Sequence, residues 1–292
     1  PSGLSSADFP GFASTVIEEN LGHGAMAFFV QGCAGDINPV TYKDVSTPHD
    51  SEPFGNMLGL NVLRGLRTVE TTTAGAVLRV LNQSLEIPRA TDFETRIQSL
   101  EAEQTKLLKS LQATNLNFRT FVPLYLQHTL NPDHPGYHSH RYLLDKANGR
   151  QDMVKLDAEN RAGLKAYEQN IRTMEKLTKL QTNLELLKMH QKQTLEAKSK
   201  TLTVEVGGLR IGEFVMVTFP GELTVQIGLN IKQASPHRFT FVAGYTNGYI
   251  YYTPTSEQRL NTGYAQEDCD TLVAPEWQQL FESRVAEILK TL

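Results

Sequence analysis

No run in these 292 residues approaches eighteen consecutive apolar positions, so no membrane-spanning helix is expected. The first residues, Pro1-Ser2-Gly3-Leu4-Ser5, carry neither the charged start nor the apolar core of an export signal. Basic residues are few enough, 28 against 32 acidic, and dispersed enough that no nucleic-acid footprint is predicted. The two cysteines, Cys33 and Cys269, could form one disulfide; neither lies in a ligand-spaced cluster, which favours two free buried thiols. A Gly-x-Ser-x-Gly elbow, a phosphate-binding Gly-Lys-Ser/Thr loop and a dinucleotide fingerprint are all missing, which argues against serine hydrolases, NTPases and dehydrogenases. Internal repeats and low-complexity tracts are missing too. What remains, 40% apolar and 21% charged, is a globular composition with enough length to bury a full core.

Hydrophobic periodicity divides the chain into three blocks. In the first, a helix is predicted near Phe9 to Leu21, and Ala25 to Val30 reads as a short buried strand ending in Gly32-Cys33-Ala34-Gly35-Asp36. A second helix is expected from about Phe54 to Val69, and a long strand from Ala76 to Ile87, stopped by Pro88. In the middle block, Phe93, Ile97, Leu100, Leu107 and Leu111 recur at helical spacing. So do Leu164, Ile171, Leu177, Leu180, Leu184 and Leu187, which predicts two long amphipathic helices packed as a hairpin. Asn131 to Gly136 is a turn-rich break between them, so residues 91–200 read as a helical insertion.

In the last block Thr201 to Val206 alternates, Gly207-Gly208 reads as a turn, and Leu209 to Phe219 as the returning strand. A helix from about Glu222 to Ala234, a strand Phe239 to Ala243 and a closing helix Pro275 to Leu292 complete the pattern. The expected fold class is α/β: one domain over residues 1–292, with a mixed sheet, flanking helices and an inserted helical hairpin.

Three places could carry chemistry. Glu222, after Pro220-Gly221, and Tyr252, after Asn247-Gly248, each follow a strand-like run where a turn exposes an oxygen, and a carboxylate and a phenol offered this way can hold a metal. Glu222 could equally cap the helix expected there, and the tyrosines around Tyr252 could simply pack. The loop Gly32 to Pro39 has two glycines that permit close backbone approach, and it presents Asp36 and Asn38, though both also suit ordinary turns. His134, His138 and His140 form the sole histidine cluster; an i, i+2 pair could bind zinc from a strand or loop, and a polar surface turn is the simpler reading.

Taken in order, Gly32-Cys33-Ala34-Gly35-Asp36-Ile37-Asn38-Pro39, Thr218-Phe219-Pro220-Gly221-Glu222-Leu223-Thr224, and Gly244 to Tyr252 followed by Gly263-Tyr264 resemble the neutral/alkaline ceramidase family. The resemblance covers the first forty residues and everything after about 200, and it places this chain in the C-terminal part of that family's catalytic domain. It implies a zinc amidohydrolase acting on an N-acyl lipid or another amide, with Glu222 and Tyr252 as metal ligands and Asp36 and Asn38 as catalytic-loop residues. Gly35, Tyr249 and Tyr264 would contact substrate. The family's two metal histidines lie upstream of the Gly-Asp loop, where this chain has just His23, so association with an N-terminal portion of the same protein is implied. Asn38 stands where ceramidases have a serine and supplies no hydroxyl, which turns the expected substrate away from ceramide itself. The sequence itself assigns no compartment; an extracytoplasmic or secreted location is favoured by the resemblance alone. The alternative is a non-catalytic binding protein using the helical hairpin as its partner surface.

Overall fold

A computed structural model describes residues 5–39, 46, 50–70, 76–136, 139–260 and 265–292, excepting the side chain of Gln266. The predicted site residue Tyr264, with Gly263 and His138, lies outside the described residues. The chain divides into two compact units, residues 92–191 and the remainder.

The larger unit opens with α1 (Asp8–Leu21) and α2 (Glu52–Leu66), which pack on each other through Gly55 and Gly59. A Cβ on Gly59 would lie 2.8 Å from the Ala13 carbonyl and 2.9 Å from the Val16 side chain. The expected strand at Ala25 to Val30 does not form. Met26 and Phe28 are 70% and 82% exposed, and no ladder joins this run to the sheet; an apolar composition alone does not bury a segment.

β1 (Leu78–Pro88) begins the sheet. The smaller unit follows, with α3 (Phe93–Ser110), α4 (Phe118–Leu130), α5 (Ser139–Ala147) and most of the 46-residue α6 (Asp152–Ala197). The long helices α3 and α6 run antiparallel: Gln104 donates to Gln181 at 3.0 Å, Lys188 reaches Glu101 at 2.7 Å and Asn170 donates to the Gln112 carbonyl at 2.8 Å. Leu177, Leu180, Leu184 and Leu187, three or four positions apart, form the buried stripe of α6. An Asn117–Thr120 capping box starts α4.

The chain then returns to the sheet with β2 (Thr201–Ile211), β3 (Phe214–Thr218) and, further on, β5 (Phe239–Ala243), in the order β1-β2-β3-β5. The first two pairings are antiparallel and β3 with β5 is parallel, so the sheet is mixed. β2 does not turn at Gly207-Gly208: it runs straight through, and Gly212, at φ +60°, makes the turn. The two glycines serve packing instead. A Cβ on Gly208 would sit 2.5 Å from Ile288 of the closing helix, and one on Gly207 would sit 2.5 Å from Thr218 Oγ1.

Between β3 and β5 lie the short β4 (Glu222–Leu223) and α7 (Val225–Ala234). After β5 come β6 (Tyr252–Thr253), which pairs in parallel with β4, then α8 (Gln266–Cys269) and α9 (Trp277–Thr291). Helices α7 and α9 cover one sheet face. Val204, Val206, Val215 and Val217 meet Ile227, Ile231, Val285 and Ile288 there, and Phe219, Trp277 and Phe281 stack with centroids 4.3 to 5.8 Å apart. Arg79 and Arg210 donate to the carbonyls of Thr291 and Leu292, closing the C-terminal end of α9. Both cysteines are free thiols. Cys269 is buried and Cys33 half-buried, its thiol pushed up to about 11 by burial. No helix among the described residues is long and apolar enough to cross a membrane.

Candidate functional site

Strands β3 and β5 run in the same direction, so the segments that follow them emerge at one end of the sheet, the usual place for a site in such a fold. Three loops meet there through their backbones. The Gly35 N–H donates to the Leu223 carbonyl at 2.9 Å, Glu222 N–H to Tyr251 at 2.9 Å, Ile250 N–H to Pro220 at 3.1 Å and Gly244 N–H to Gln31 at 3.1 Å. The approach at Gly35 excludes any side chain, because a Cβ would lie 2.6 Å from the Glu222 carbonyl oxygen.

This framework puts Glu222 and Tyr252 directly opposite each other in the β4–β6 pair. Glu222 is therefore a strand residue and does not cap the following helix. Its neighbour Thr224 is the N-cap of α7 without a side-chain bond, and Asp36 from the glycine loop accepts from the Val225 N–H at 2.8 Å instead. The other Asp36 oxygen accepts from Gln258 at 3.1 Å, so both its oxygens tie the loop to the scaffold. Asn38 is exposed, and among the described residues no hydrogen bond joins it to Glu222 or Tyr252.

The Glu222 carboxylate collects phenols. Tyr245 donates to Oε2 at 2.8 Å and Tyr249 donates to Oε1, while Tyr252 stands opposite in the β4–β6 pair. Burial, then hydrogen bonding to Glu222 and its negative charge, pushes the Tyr245 and Tyr249 phenols well above their ordinary range. Tyr252 is pushed up to about 12, first by burial and then by Glu222, with Glu267 and Asp270 adding negative charge. All three hydroxyls therefore stay protonated near neutral pH, and those of Tyr245 and Tyr249 donate to one anion. The rings of Tyr245 and Tyr249 lie nearly parallel, 14° apart at 6.3 Å. The segment that carries them is strained: Tyr245, Asn247 and Tyr251 all hold positive φ, at 55°, 58° and 64°.

A carboxylate faces a phenol across one register pair, in a neighbourhood that is negative and favours a cation. Among the described residues no three His, Cys, Asp or Glu side chains gather as a metal cluster.

Sequence reasoning singled out Glu222, Tyr252 and Tyr249, which the structure brings together, and Gly35, whose backbone braces them. It counted Tyr245 among packing aromatics; the four-residue spacing to Tyr249 around Asn247-Gly248 was the available signal. Gln258 as a partner of Asp36, more than two hundred residues away, left no local signal.

No family model matches the chain, and no curated protein does. Among solved structures it is similar to the neutral ceramidase from Pseudomonas aeruginosa, at 17% identity and a TM-score of 0.47, over 99% of this chain and 41% of that one. It is similar to a ceramidase complexed with C2 at 19% identity and a TM-score of 0.47, over 99% of this chain and 42% of the other. This chain thus spans about two fifths of the length of those structures.

Proposed function

We propose that this chain carries the carboxylate and phenol half of a zinc centre in a hydrolase that cleaves an N-acyl, lipid-like amide. The observation that carries the reading is the in-register pairing of Glu222 with Tyr252, two residues thirty positions apart that the ceramidase-like motifs single out together. A bound zinc ion supplies a Lewis acid that acidifies water and polarises an amide carbonyl. Glu222 supplies an anionic oxygen fixed by the Gly35 and Tyr251 backbones. Tyr252 supplies a second oxygen whose proton leaves more readily once a positive charge stands beside it. Tyr245 and Tyr249 orient the carboxylate by donating to it, and Tyr249, exposed on one side, is also placed to contact substrate. Asp36 holds the glycine loop on α7, and Asn38, at its exposed tip, offers an amide to the substrate where the resembling family offers a hydroxyl. The remaining metal ligands come from another portion of the same protein.

The test is zinc analysis of the protein isolated from its source at natural length, beside Glu222→Ala and Tyr252→Phe variants, with hydrolysis of N-acyl sphingosines and simpler N-acyl amides as second readout. Stoichiometric zinc that is lost in Glu222→Ala and depleted in Tyr252→Phe is expected. Metal-free native protein, or zinc indifferent to both substitutions, sinks the proposal and leaves a binding role for the fold.

A further inference from the structure

The loop from Gly244 to Tyr251 brings Tyr245 and Tyr249 to the Glu222 carboxylate, and backbone bonds tie both its ends. At one end Tyr245 N–H donates to the Gly221 carbonyl at 3.3 Å and Thr246 N–H to that of Phe219 at 3.1 Å. At the other, Ile250 N–H donates to Pro220 at 3.1 Å and Tyr251 bridges to Thr271. The apex has no such support. Among the described residues the amides of Asn247, Gly248 and Tyr249 find no backbone partner. Yet Asn247 stands at φ 58°, a left-handed conformation that something has to hold.

One side chain from outside the loop holds it. Asn247 Nδ2 donates to Glu205 Oε1 at 2.6 Å. Glu205 lies on β2 two residues before Gly207, which pairs with Thr218, the last residue of β3. At the level of Glu205, β3 has therefore ended, and the tyrosine loop takes the place beside β2. Side chains alternate along a strand, so Glu205 points away from the face where Val204 and Val206 join the core. A Cβ on Gly248 would lie 3.3 Å from the Pro220 side chain, which sets the apex close against the turn that delivers Glu222. Two carboxylates thus grip the apex two residues apart: Asn247 donates to Glu205, and Tyr249 donates to Glu222. Hydrogen bonds to an ionised acceptor are stronger than those between neutral groups.

We propose that Glu205 is a positioning residue for the Glu222 site. By holding Asn247 it fixes the turn from which the Tyr249 hydroxyl reaches Glu222, and so it sets the orientation of that carboxylate. Its effect on zinc rests on the metal centre proposed above, whereas its effect on Tyr249 does not. Gln193 donates to the Tyr251 hydroxyl at 3.0 Å at the far end of the loop, where backbone bonds already suffice.

The experiment uses the protein at natural length. O-acetylation of tyrosines by N-acetylimidazole, followed residue by residue by mass spectrometry in metal-free protein, reads how firmly the Tyr249 hydroxyl is held. Glu205→Ala should speed modification of Tyr249 about fivefold, the shift that one hydrogen bond of ordinary strength sustains. Its Tm should stay within about 2 °C of native, because Glu205 is exposed. Zinc binding should weaken about tenfold, as it does on loss of an outer-shell partner. Glu205→Gln keeps an acceptor oxygen and should behave as native. Asn247→Asp sets two carboxylates against each other and should match Glu205→Ala. Combining it with Glu205→Gln exchanges donor and acceptor and should restore both readouts. Gln193→Ala should change neither. Tyr249 modified at the native rate in Glu205→Ala overturns the proposal, as does a loss that Glu205→Gln reproduces or that the double variant fails to relieve. Zinc affinity unchanged in Glu205→Ala overturns it as well. A native protein that holds no zinc, but whose Tyr249 responds as described, sinks the metal reading and leaves the role of Glu205 standing.

Discussion

Replacing Gly35 by alanine adds one methyl group, and its cost can be worked from the structure. The new Cβ would stand 2.6 Å from the Glu222 carbonyl oxygen and 3.2 Å from both the Glu222 carbon and the Leu223 oxygen. All three are backbone atoms of the strand that carries the site, so no side chain can swing aside. Forcing a methyl into such a contact costs about 1–3 kcal/mol. Pushing the strands apart also lengthens the bond from the Gly35 N–H to Leu223, worth about 1 kcal/mol. Against this, alanine lowers the entropy of the unfolded chain and returns about 0.4–1 kcal/mol. The net expectation is a loss of about 1–3.5 kcal/mol, a fall in Tm of about 2–14 °C for a domain of this size. Differential scanning calorimetry measures it, and hydrogen exchange at the Glu222 and Ile250 amides should speed up in the variant. Gly32→Ala is the control: its Cβ finds its nearest neighbour at an ordinary 3.8 Å, so its Tm should stay within about 2 °C of native. A Gly35→Ala protein as stable as Gly32→Ala refutes the reasoning that this glycine is required by the approach of two backbones.

Four further outcomes are expected. Because burial and Glu222 raise the Tyr252 phenol to about 12, the folded chain binds its proton more tightly than the unfolded chain does; that contribution to stability is complete below pH 10 and is lost as pH rises through 12. Phenolate absorbance near 295 nm in metal-free protein should show this late ionisation, and Tyr252→Phe should remove it. Asp36→Ala should cost about 0.5–2 kcal/mol through the lost contact with the first turn of α7, with Asp36→Asn costing less, as urea midpoints will show. Gly208→Ala, whose Cβ would meet Ile288 at 2.5 Å, should cost about 1–3 kcal/mol by thermal unfolding while leaving the Tyr252 titration unchanged. Tyr245→Phe and Tyr249→Phe should each change stability by less than about 1 kcal/mol, because both residues keep more than a third of their surface in water, which screens their bonds to Glu222, yet each should lower the zinc content of the full-length protein.

The α/β class and most helices were legible because their signals are local. The 3.6-residue spacing of Leu177, Leu180, Leu184 and Leu187 and the alternation in β1 and β2 each declare themselves within a few turns or pairs. The errors arose where a local signal had a non-local cause. Gly207-Gly208 resembles a turn, yet it is the footprint of α9 and of Thr218 on a straight strand, and Gly212, just past the end of β2, does the turning. The apolar run from Ala25 to Val30 has the composition of a buried strand and lies exposed beside the sheet, since composition does not reveal whether a partner strand is at hand. At the site, Glu222 and Tyr252 stood out by their turns, but what holds them did not: the cap from Asp36, the brace at Gly35 and the donation from Tyr245 all span long stretches of sequence.

The positive φ angles at Tyr245, Asn247 and Tyr251 bear on any attempt to imitate this region in isolation. Each tyrosine held there gives up about 1–2 kcal/mol relative to the right-handed conformations it prefers, and asparagine somewhat less. A synthetic heptapeptide copying residues 245–251 would relax at once and scatter its three rings. An antibody raised against such a peptide should accordingly recognise the denatured protein and pass over the native one.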